Sequence, residues 1–187
     1  MAKKNKWRQE VHRLPKDHVW KAKPGYKIFV ADRGAVSFNY PADWLVMPGE
    51  GSAIKLTNKQ PPDDDWALQI SVMRLNPQVD WTGLPLATML EDCLKADDRR
   101  TLGRDPVQTI TRPGAEIAWV ETRFLEENEN REAFSRALLA RHNLVVPFLT
   151  LDFWPEHRDQ LIPIWDEIVA TLQIDRRLTA SGWPTVR

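Results

Sequence analysis

The sequence predicts an α+β domain in which helices pack on a mainly antiparallel β-sheet. The apolar run Val145–Phe153 stops at Trp154 and Pro155 and is typical of a buried strand. Apolar residues then recur every three or four positions from 161 to 172, which indicates an amphipathic helix. A second helical stripe, at 85–98, lies among alternating segments, so two helices need a sheet against which to bury their apolar sides.

Alternation and turn residues define the predicted strands of the first half. The segment Tyr26–Ala31 is a short strand, and Asp32–Gly34 forms the turn after it. A strand at 36–40 is interrupted by Pro41, and the chain resumes at 44–46 with Trp44 at the corner. Further strands are predicted at 53–57 and at 66–75, where clean alternation indicates a half-buried strand.

The helix predicted at 85–98 has the clearest periodicity in the chain. Pro85 suits its first turn, and Gly103 closes the segment. Its stripe follows the spacing i, i+3, i+4, i+7, i+8 and consists of Leu86, Met89, Leu90, Cys93 and Leu94. Leu90 is therefore expected in the core, as is Trp165 of the last helix. Cys93 is the single cysteine, so no intramolecular disulfide can form, and we interpret it as a small buried hydrophobe.

Strands dominate the pattern from 104 to 153, with predicted strands at 105–111 and 115–125. The segment Arg131–Arg141 is ambiguous, because its Ala, Leu, Glu and Arg residues are good helix formers. The pair His142-Asn143 allows a hairpin turn instead, so helix and strand both stay open from the residues alone. Pro163 should either kink the last helix or mark where its long half begins.

Charge divides the chain into a basic N-terminal arm at 1–25, a domain at 26–174 and a tail at 175–187. Residues 1–27 hold nine Lys and Arg against two acids, a balance of +7, and because the net charge is zero the remainder carries −7. We expect the arm to be held against the acidic body, mainly by apolar contacts. Those contacts would come from Trp7, Val11, Leu14, Val19 and Trp20.

Catalytic and metal-binding motifs are absent from the sequence. The four histidines are scattered, and we interpret the acidic run at 63–65 as a solvated loop rather than a cation site. We expect no cofactor, no metal and no enzymatic activity. There is no apolar signal-like region and no run of roughly 20 apolar residues, so the sequence predicts a cytoplasmic protein that does not bind membranes.

Tryptophan is over-represented, with nine residues. Trp119, Trp154 and Trp165 fall on core-like patterns, whereas Trp7 and Trp20 lie in the arm. Basic residues interleaved with aromatics can bind a protein groove. The candidate partner-binding residues are Lys3, Lys4, Lys6, Trp7, Arg8 and Trp20.

Three stretches in this order resemble the PsbP-like superfamily, which includes the photosystem protein PsbP and the Ran-binding nuclear import factor of yeast. They are SFNYPADW at 37–44, GAEIAWVE at 114–121 and FLTLDFWPEHRDQLIPIWDEIVATLQI at 148–174. The resemblance covers about 26–174 and implies an α/β/α sandwich, with helices on both faces of an antiparallel sheet. It also favours a strand at Arg131–Arg141 and a role as a binding module.

The leading functional hypothesis is a non-enzymatic binding or assembly module whose partner is another protein. The rival hypothesis is a small-molecule-binding protein, or an enzyme with an unrecognised site. Nucleic acid is not the favoured partner, because the net charge is zero. A pocket with convergent polar groups and perturbed pKa values would favour the rival, whereas a shallow surface would favour a protein partner.

Overall fold

A computed structural model of the chain describes residues 21–81 and 83–176. It contains eleven strands and two helices. In chain order they are β1 (Tyr26–Ala31), β2 (Val36–Pro41), β3 (Leu45–Pro48), β4 (Ile54–Thr57), β5 (Trp66–Arg74), α1 (Leu86–Leu94), β6 (Arg100–Arg104), β7 (Gln108–Arg112), β8 (Ala115–Glu126), β9 (Arg131–Arg141), β10 (Val145–Phe153), α2 (Arg158–Thr171) and β11 (Gln173–Ile174).

The main sheet has eight strands in the order β3-β4-β5-β10-β9-β8-β6, and β7 also pairs with β8. Every pairing in it is antiparallel. A small sheet of order β1-β2-β11 joins the first and last strands. The predicted α+β class, an antiparallel sheet flanked by helices, is confirmed.

Two core clusters use alternate residues of the same central strands. One contains Ile117, Leu138 and Leu149 together with Trp165 of α2. The other contains Ala118, Leu139 and Val146 together with Leu90 of α1. Because neighbouring residues of a strand point to opposite faces, the two clusters lie on opposite faces of the sheet.

The segment Arg131–Arg141 is strand β9, as the resemblance implied and against the helical propensity of its residues. It pairs with β8 along its whole length and with β10 on the other side. Its residues 135–140 are all buried. Tertiary pairing on both sides therefore overrides the weak local preference. Asn143 takes a left-handed φ of 51° in the turn to β10, which confirms the predicted hairpin.

Several sequence predictions need correction at the sheet edge. Helix α1 ends at Leu94, four residues before the predicted end, and β6 follows where no strand was expected. The predicted strand at 105–111 begins only at Gln108, because Pro106 has no N–H to donate to the ladder. The Asp105 N–H nevertheless still donates to the Glu121 carbonyl at 3.0 Å, so the edge continues past β6.

Helix α2 starts at Arg158, directly after a 3-10 turn at Pro155–His157. Pro163 lies inside this helix, so the prediction that it could mark the start is wrong. An interior proline removes one backbone hydrogen bond of the helix. The stripe formed by Leu161, Trp165 and Ile168 is fully buried on the sheet, which offsets that loss.

The predicted core residues divide into two groups. Leu90 and Trp165 are both 0% exposed, as expected. Cys93, expected to be buried, is only partly buried. Trp119 and Trp154 are also partly buried, and Trp119 packs against the core cluster under α2, as its pattern predicted. Burial and the neighbouring Asp92 raise the pKa of the Cys93 thiol. Trp119 borders the core, with its ring centroid 6.0 Å from that of Trp165.

A buried ion pair connects the sheet to α2. Glu121 and Arg136 face each other across β8 and β9, and the Arg136 Nε donates to the Glu121 Oε2 at 2.6 Å. Both side chains are only 6% exposed. Arg158 of α2 donates to the other carboxylate oxygen from Nε at 3.1 Å and from Nη2 at 2.9 Å. The Arg136 guanidinium also lies over the Trp119 and Trp165 rings.

Leu90→Ala tests the core under α1. Removing a fully buried leucine side chain should lower the free energy of unfolding by about 2–5 kcal/mol, because it leaves a cavity. For a domain of this size the melting temperature should fall by at least about 4 °C in calorimetry. Leu102→Ala is the matched control, because Leu102 is 43% exposed, and it should change stability by no more than about 0.5 kcal/mol.

Glu121→Leu tests the buried ion pair. It leaves the Arg136 guanidinium buried without its carboxylate and should cost about 3–5 kcal/mol in urea unfolding. The double variant Glu121→Leu/Arg136→Met removes both charges and should recover most of that loss. A double variant as unstable as the single one would show that packing, rather than the unpaired charge, determines the cost.

Candidate functional site

A cleft of about 300 Å³ opens at the end of the main sheet where β5 begins and β10 ends. We call it the Asp152 cleft. Its walls are acidic and aromatic, with residues contributed by β5, β8, β10, the loop before β5 and the β8–β9 turn. The acidic members are Asp64, Asp65, Glu126, Glu129 and Asp152, the single basic member is Arg99, and the aromatic members are Trp66, Phe124, Phe153 and Trp154.

Asp152 is held by two donors. Ser135 stands directly opposite it in the β9–β10 register, and the Ser135 Oγ donates to Asp152 Oδ1 at 2.5 Å. Arg99 Nη1 donates to the other oxygen, Oδ2, at 3.0 Å. The antiparallel register therefore positions the serine, whereas a residue from the segment after α1 supplies the charge.

Arg99 is itself fixed from two sides. Asp97 accepts from its Nε at 2.9 Å and from its Nη2 at 2.7 Å, a bidentate arrangement. The guanidinium also lies 4.0 Å from the centroid of the Phe124 ring. This clamping keeps the cation in one place beside Asp152 and leaves it little freedom to neutralise other carboxylates.

The two carboxyl groups beside Arg99 titrate in opposite directions. Burial raises the pKa of Asp152, and Asp97 raises it further, although Arg99 and the Ser135 hydroxyl oppose this shift. One third of the Asp152 side chain still reaches solvent. The hydrogen bonds from Arg99 lower the pKa of Asp97. A perturbed carboxyl group with a specific charged neighbour in a cleft is a common feature of functional sites.

The acidic rim of the cleft is only partly neutralised by its neighbours. Lys55 Nζ lies 2.8 Å from Asp64 Oδ2, and Lys59 Nζ lies 2.7 Å from Asp65 Oδ2. The run at 63–65, predicted as a solvated loop, is therefore partly ion-paired. Among the described residues, Glu126 accepts only from the neutral Asn128, at 3.1 Å. Arg131 stands opposite Glu126 in the β8–β9 register but is paired with Glu156, so the Glu126 charge is available to a ligand.

A second, larger cleft of about 650 Å³ lies near the opposite ends of the strands and includes Arg112, Glu116 and Arg141. Arg112 donates to the Val169 carbonyl near the end of α2, at 2.8 Å, and to the Leu172 carbonyl directly after the helix, at 2.6 Å. Arg141 donates to Glu116 at 2.6 Å. Both guanidinium groups thus hold parts of the fold together and are not available to a ligand. The Asp152 cleft is therefore the stronger candidate site.

The partner-binding residues proposed from the sequence, Lys3, Lys4, Lys6, Trp7, Arg8 and Trp20, lie outside the described residues. The end of the arm is described and lies against α2. Lys23 Nζ is 2.8 Å from Glu167 Oε2, and the Lys21 carbonyl accepts from the Asn39 amide at 3.5 Å. Docking of the preceding residues stays a prediction.

Sequence reasoning missed the Asp152 cleft. Arg99 and Asp152 are 53 positions apart, and no motif connects them. One signal was present, because Asp152 is an acid within the apolar run of β10. Within residues 21–81 and 83–176, no group of three or more His, Cys, Asp and Glu side chains is arranged to hold a metal ion. No helix in that part of the chain is long and apolar enough to cross a membrane.

A family model and a sequence relative both match most of this chain. Residues 27–177 match the family model described as Alr1449. A Nostoc sp. (strain PCC 7120) protein, "Uncharacterized protein alr1449", is 40% identical over 179 residues, which cover 93% of this chain and 92% of that protein. This alignment is longer than the family match, so it extends into the terminal segments.

Solved structures show the same fold at low sequence identity. The solution structure of the cyanobacterial PsbP (CyanoP) from Synechocystis sp. PCC 6803 has a TM-score of 0.55 and 12% identity, covering 82% of this chain and 94% of its own. A crystal structure from Bacteroides thetaiotaomicron has a TM-score of 0.54 and 16% identity. The match covers 80% of this chain but only 48% of the Bacteroides chain. The resemblance to PsbP-like proteins is thus confirmed at the level of the fold.

The opposite pKa shifts beside Arg99 can be tested by pH titration. Carboxyl carbon NMR should show Asp152 titrating above, and Asp97 below, an ordinary aspartate. Arg99→Met should raise both pKa values, because the guanidinium lowers each of them. Arg100→Met, at an exposed neighbouring residue, should move neither by a comparable amount.

The same shifts determine how stability depends on pH. The folded pKa of Asp97 is lowered, so its stabilisation is present above the unfolded value of about 3.9 and is lost as the pH falls through the folded value. The folded pKa of Asp152 is raised, so its contribution is present below about 3.9 and is lost as the pH rises through the folded value. The free energy of unfolding of Asp152→Asn, measured in urea, should therefore be closest to that of the wild type at a pH above the folded pKa of Asp152.

Proposed function

The chain belongs to the Alr1449 family, and on this premise we propose that it is a non-enzymatic binding module whose Asp152 cleft receives a basic segment of a protein partner. The carrying observation is the composition of the cleft, which has five carboxylates against one arginine, with aromatic walls. The module is proposed to be an α/β/α sandwich, since the cores under α1 and α2 use opposite faces of the sheet.

Electrostatics supports a cationic ligand. Arg99 is the one basic side chain that lines the cleft, and it is already bound to Asp97 and Asp152. It therefore does not neutralise Glu126 and Glu129, which also line the cleft. Carboxylates at the rim attract Lys and Arg side chains and repel phosphates. The acidic cleft therefore supports a protein partner and disfavours nucleic acid.

The aromatic residues support the same class of ligand. Phe124 already binds the Arg99 guanidinium on its ring, and Arg131 lies 4.6 Å from the Trp154 ring centroid. Rings that bind guanidinium groups within the molecule can bind those of a partner in the same way. The cleft is open rather than enclosed, which suits an extended peptide more than a buried substrate.

Chemistry in the cleft is limited by access. Ser135, the hydroxyl nearest to Asp152, is buried and donates its proton to that carboxylate. A buried serine cannot reach a substrate carbonyl. The geometry therefore supports binding rather than nucleophilic catalysis. The cytoplasmic location inferred from the sequence stays a prediction.

A matched pair of charge variants tests the proposal. Glu126→Gln/Glu129→Gln removes two rim charges, whereas Glu91→Gln/Asp159→Asn removes two exposed charges on α1 and α2. Binding of fluorescent Lys- and Arg-containing peptides should weaken roughly 2- to 30-fold for the rim variant, if each pair contributes about 0.2–1 kcal/mol. Binding should also weaken as salt increases.

Equal weakening by the two variants would mean that net charge alone attracts the peptides. The absence of any binding by the unmodified protein would contradict the proposal outright. Affinity capture from the native lysate with both variants then identifies the partner, which the rim variant should fail to retain.

A small amine is the second candidate ligand. Asp152 favours it, because its carboxyl lines the cleft and one third of the side chain is exposed. Burial raises the pKa of Asp152, so a cation placed beside it would stabilise the charged form. Spermidine, choline and lysine ethyl ester are suitable probes in thermal unfolding. A ligand present at 100 times its Kd would stabilise the fold by about 2.7 kcal/mol, and Asp152→Asn should abolish that gain.

A further inference from the structure

The outer edge of the main sheet is formed by β6 and β7, which both pair with β8. No strand among the described residues pairs with the other side of β7. The opposite edge is β3, only four residues long and ending at Pro48. Free strand edges present unpaired backbone donors and acceptors, and natural proteins protect them with charges, prolines, bulges or short length.

Strand β7 lacks the protection that β3 and β6 have. The register of β6 shifts between Thr101 and Gly103, and arginines stand at both ends of that strand. By contrast, β7 pairs with β8 in regular register over all five of its residues. It contains no acid and no lysine. Its one charge, Arg112, is bound to the carbonyls at the end of α2.

The sequence of β7 is nearly symmetric about its centre. Gln108, Thr109, Ile110, Thr111 and Arg112 form a strand in which threonines flank an isoleucine that is 37% exposed. In a two-fold antiparallel pairing, Ile110 would face Ile110 and Thr109 would face Thr111, both favourable cross-strand pairs. Gln108 would face Arg112, so no like charges meet.

We infer that β7 pairs with β7 of a second copy, which joins the two main sheets into one continuous antiparallel sheet across a two-fold axis. A symmetric dimer needs a surface complementary to itself, and the near-symmetric β7 provides one. This inference is independent of the Asp152 cleft, none of whose lining residues lies on β7.

Charge placed at the two-fold axis tests the dimer. Sedimentation velocity of the full chain should show a dimer for the wild type. Ile110→Lys and Ile110→Glu should each give a monomer, because like charges would meet at the axis. Mixing the two variants should restore a dimer containing one of each. Leu102→Lys on β6 and Val46→Lys on β3, at apolar residues that are 43% and 38% exposed, should leave the wild-type dimer intact.

Circular dichroism checks that each variant is folded. If the Ile110 variants unfold, Thr109→Glu/Thr111→Glu provides the same repulsion from exposed positions, because position 109 of one copy faces position 111 of the other. A wild-type monomer at all concentrations would overturn the inference. So would a dimer that survives Ile110→Lys, a dimer broken equally by Leu102→Lys, or mixed variants that stay monomeric.

Discussion

Burial of the central strands on both faces is the constraint on which the rest of the structure depends. Strands β8, β9 and β10 place side chains in both core clusters, so their backbone groups are shielded from water. Buried backbone groups must pair, and only a neighbouring strand on each side achieves this for β9. Both helices are then needed, because each face of the sheet has an apolar surface to cover.

That constraint also explains the buried charges. Arg136 lies in the stretch of β9 that is buried on both faces, so its guanidinium cannot reach water. Glu121 on the facing strand supplies the carboxylate, and the Trp119 and Trp165 rings receive the rest of the charged group. Arg158 extends this pairing to α2 and so fixes the helix along the sheet. Because the cost of burying charge offsets much of the attraction within the pair, the clearest structural effect of these contacts is the position of α2 on the sheet.

The sequence predicts those parts of the fold in which buried side chains follow a regular spacing of apolar residues along the chain. Alternation predicted β5, a continuous apolar run predicted β10, and helical spacing predicted α1 and α2. Strand β6 was missed and the start of β7 was placed three residues too early, because the exposed residues of these edge strands show no regular apolar pattern. Strand β9 was predicted only from the family resemblance, because the propensities of its residues favour a helix.

The candidate site could not be predicted from the sequence, for a different reason. It arises from contacts between Arg99, Ser135 and Asp152, and each of these residues alone is ordinary. What the sequence did show was an acidic body opposite a basic arm. The structure shows where part of that acidity is concentrated, at Glu126 and Glu129 beside the cleft, whereas Lys55 and Lys59 compensate Asp64 and Asp65 locally.

The small sheet has a consequence for synthesis of the protein on the ribosome. Its middle strand, β2, pairs with β1 almost at once, but its other partner, β11, follows more than half a chain length later. The Asp175 N–H also donates to the Ala35 carbonyl, at 2.8 Å. Closing so long a loop is slow and entropically costly. A nascent chain must therefore carry the apolar side of Val36 and Phe38 uncovered until α2 and β11 emerge, which makes this early strand a natural place for a chaperone to bind during translation.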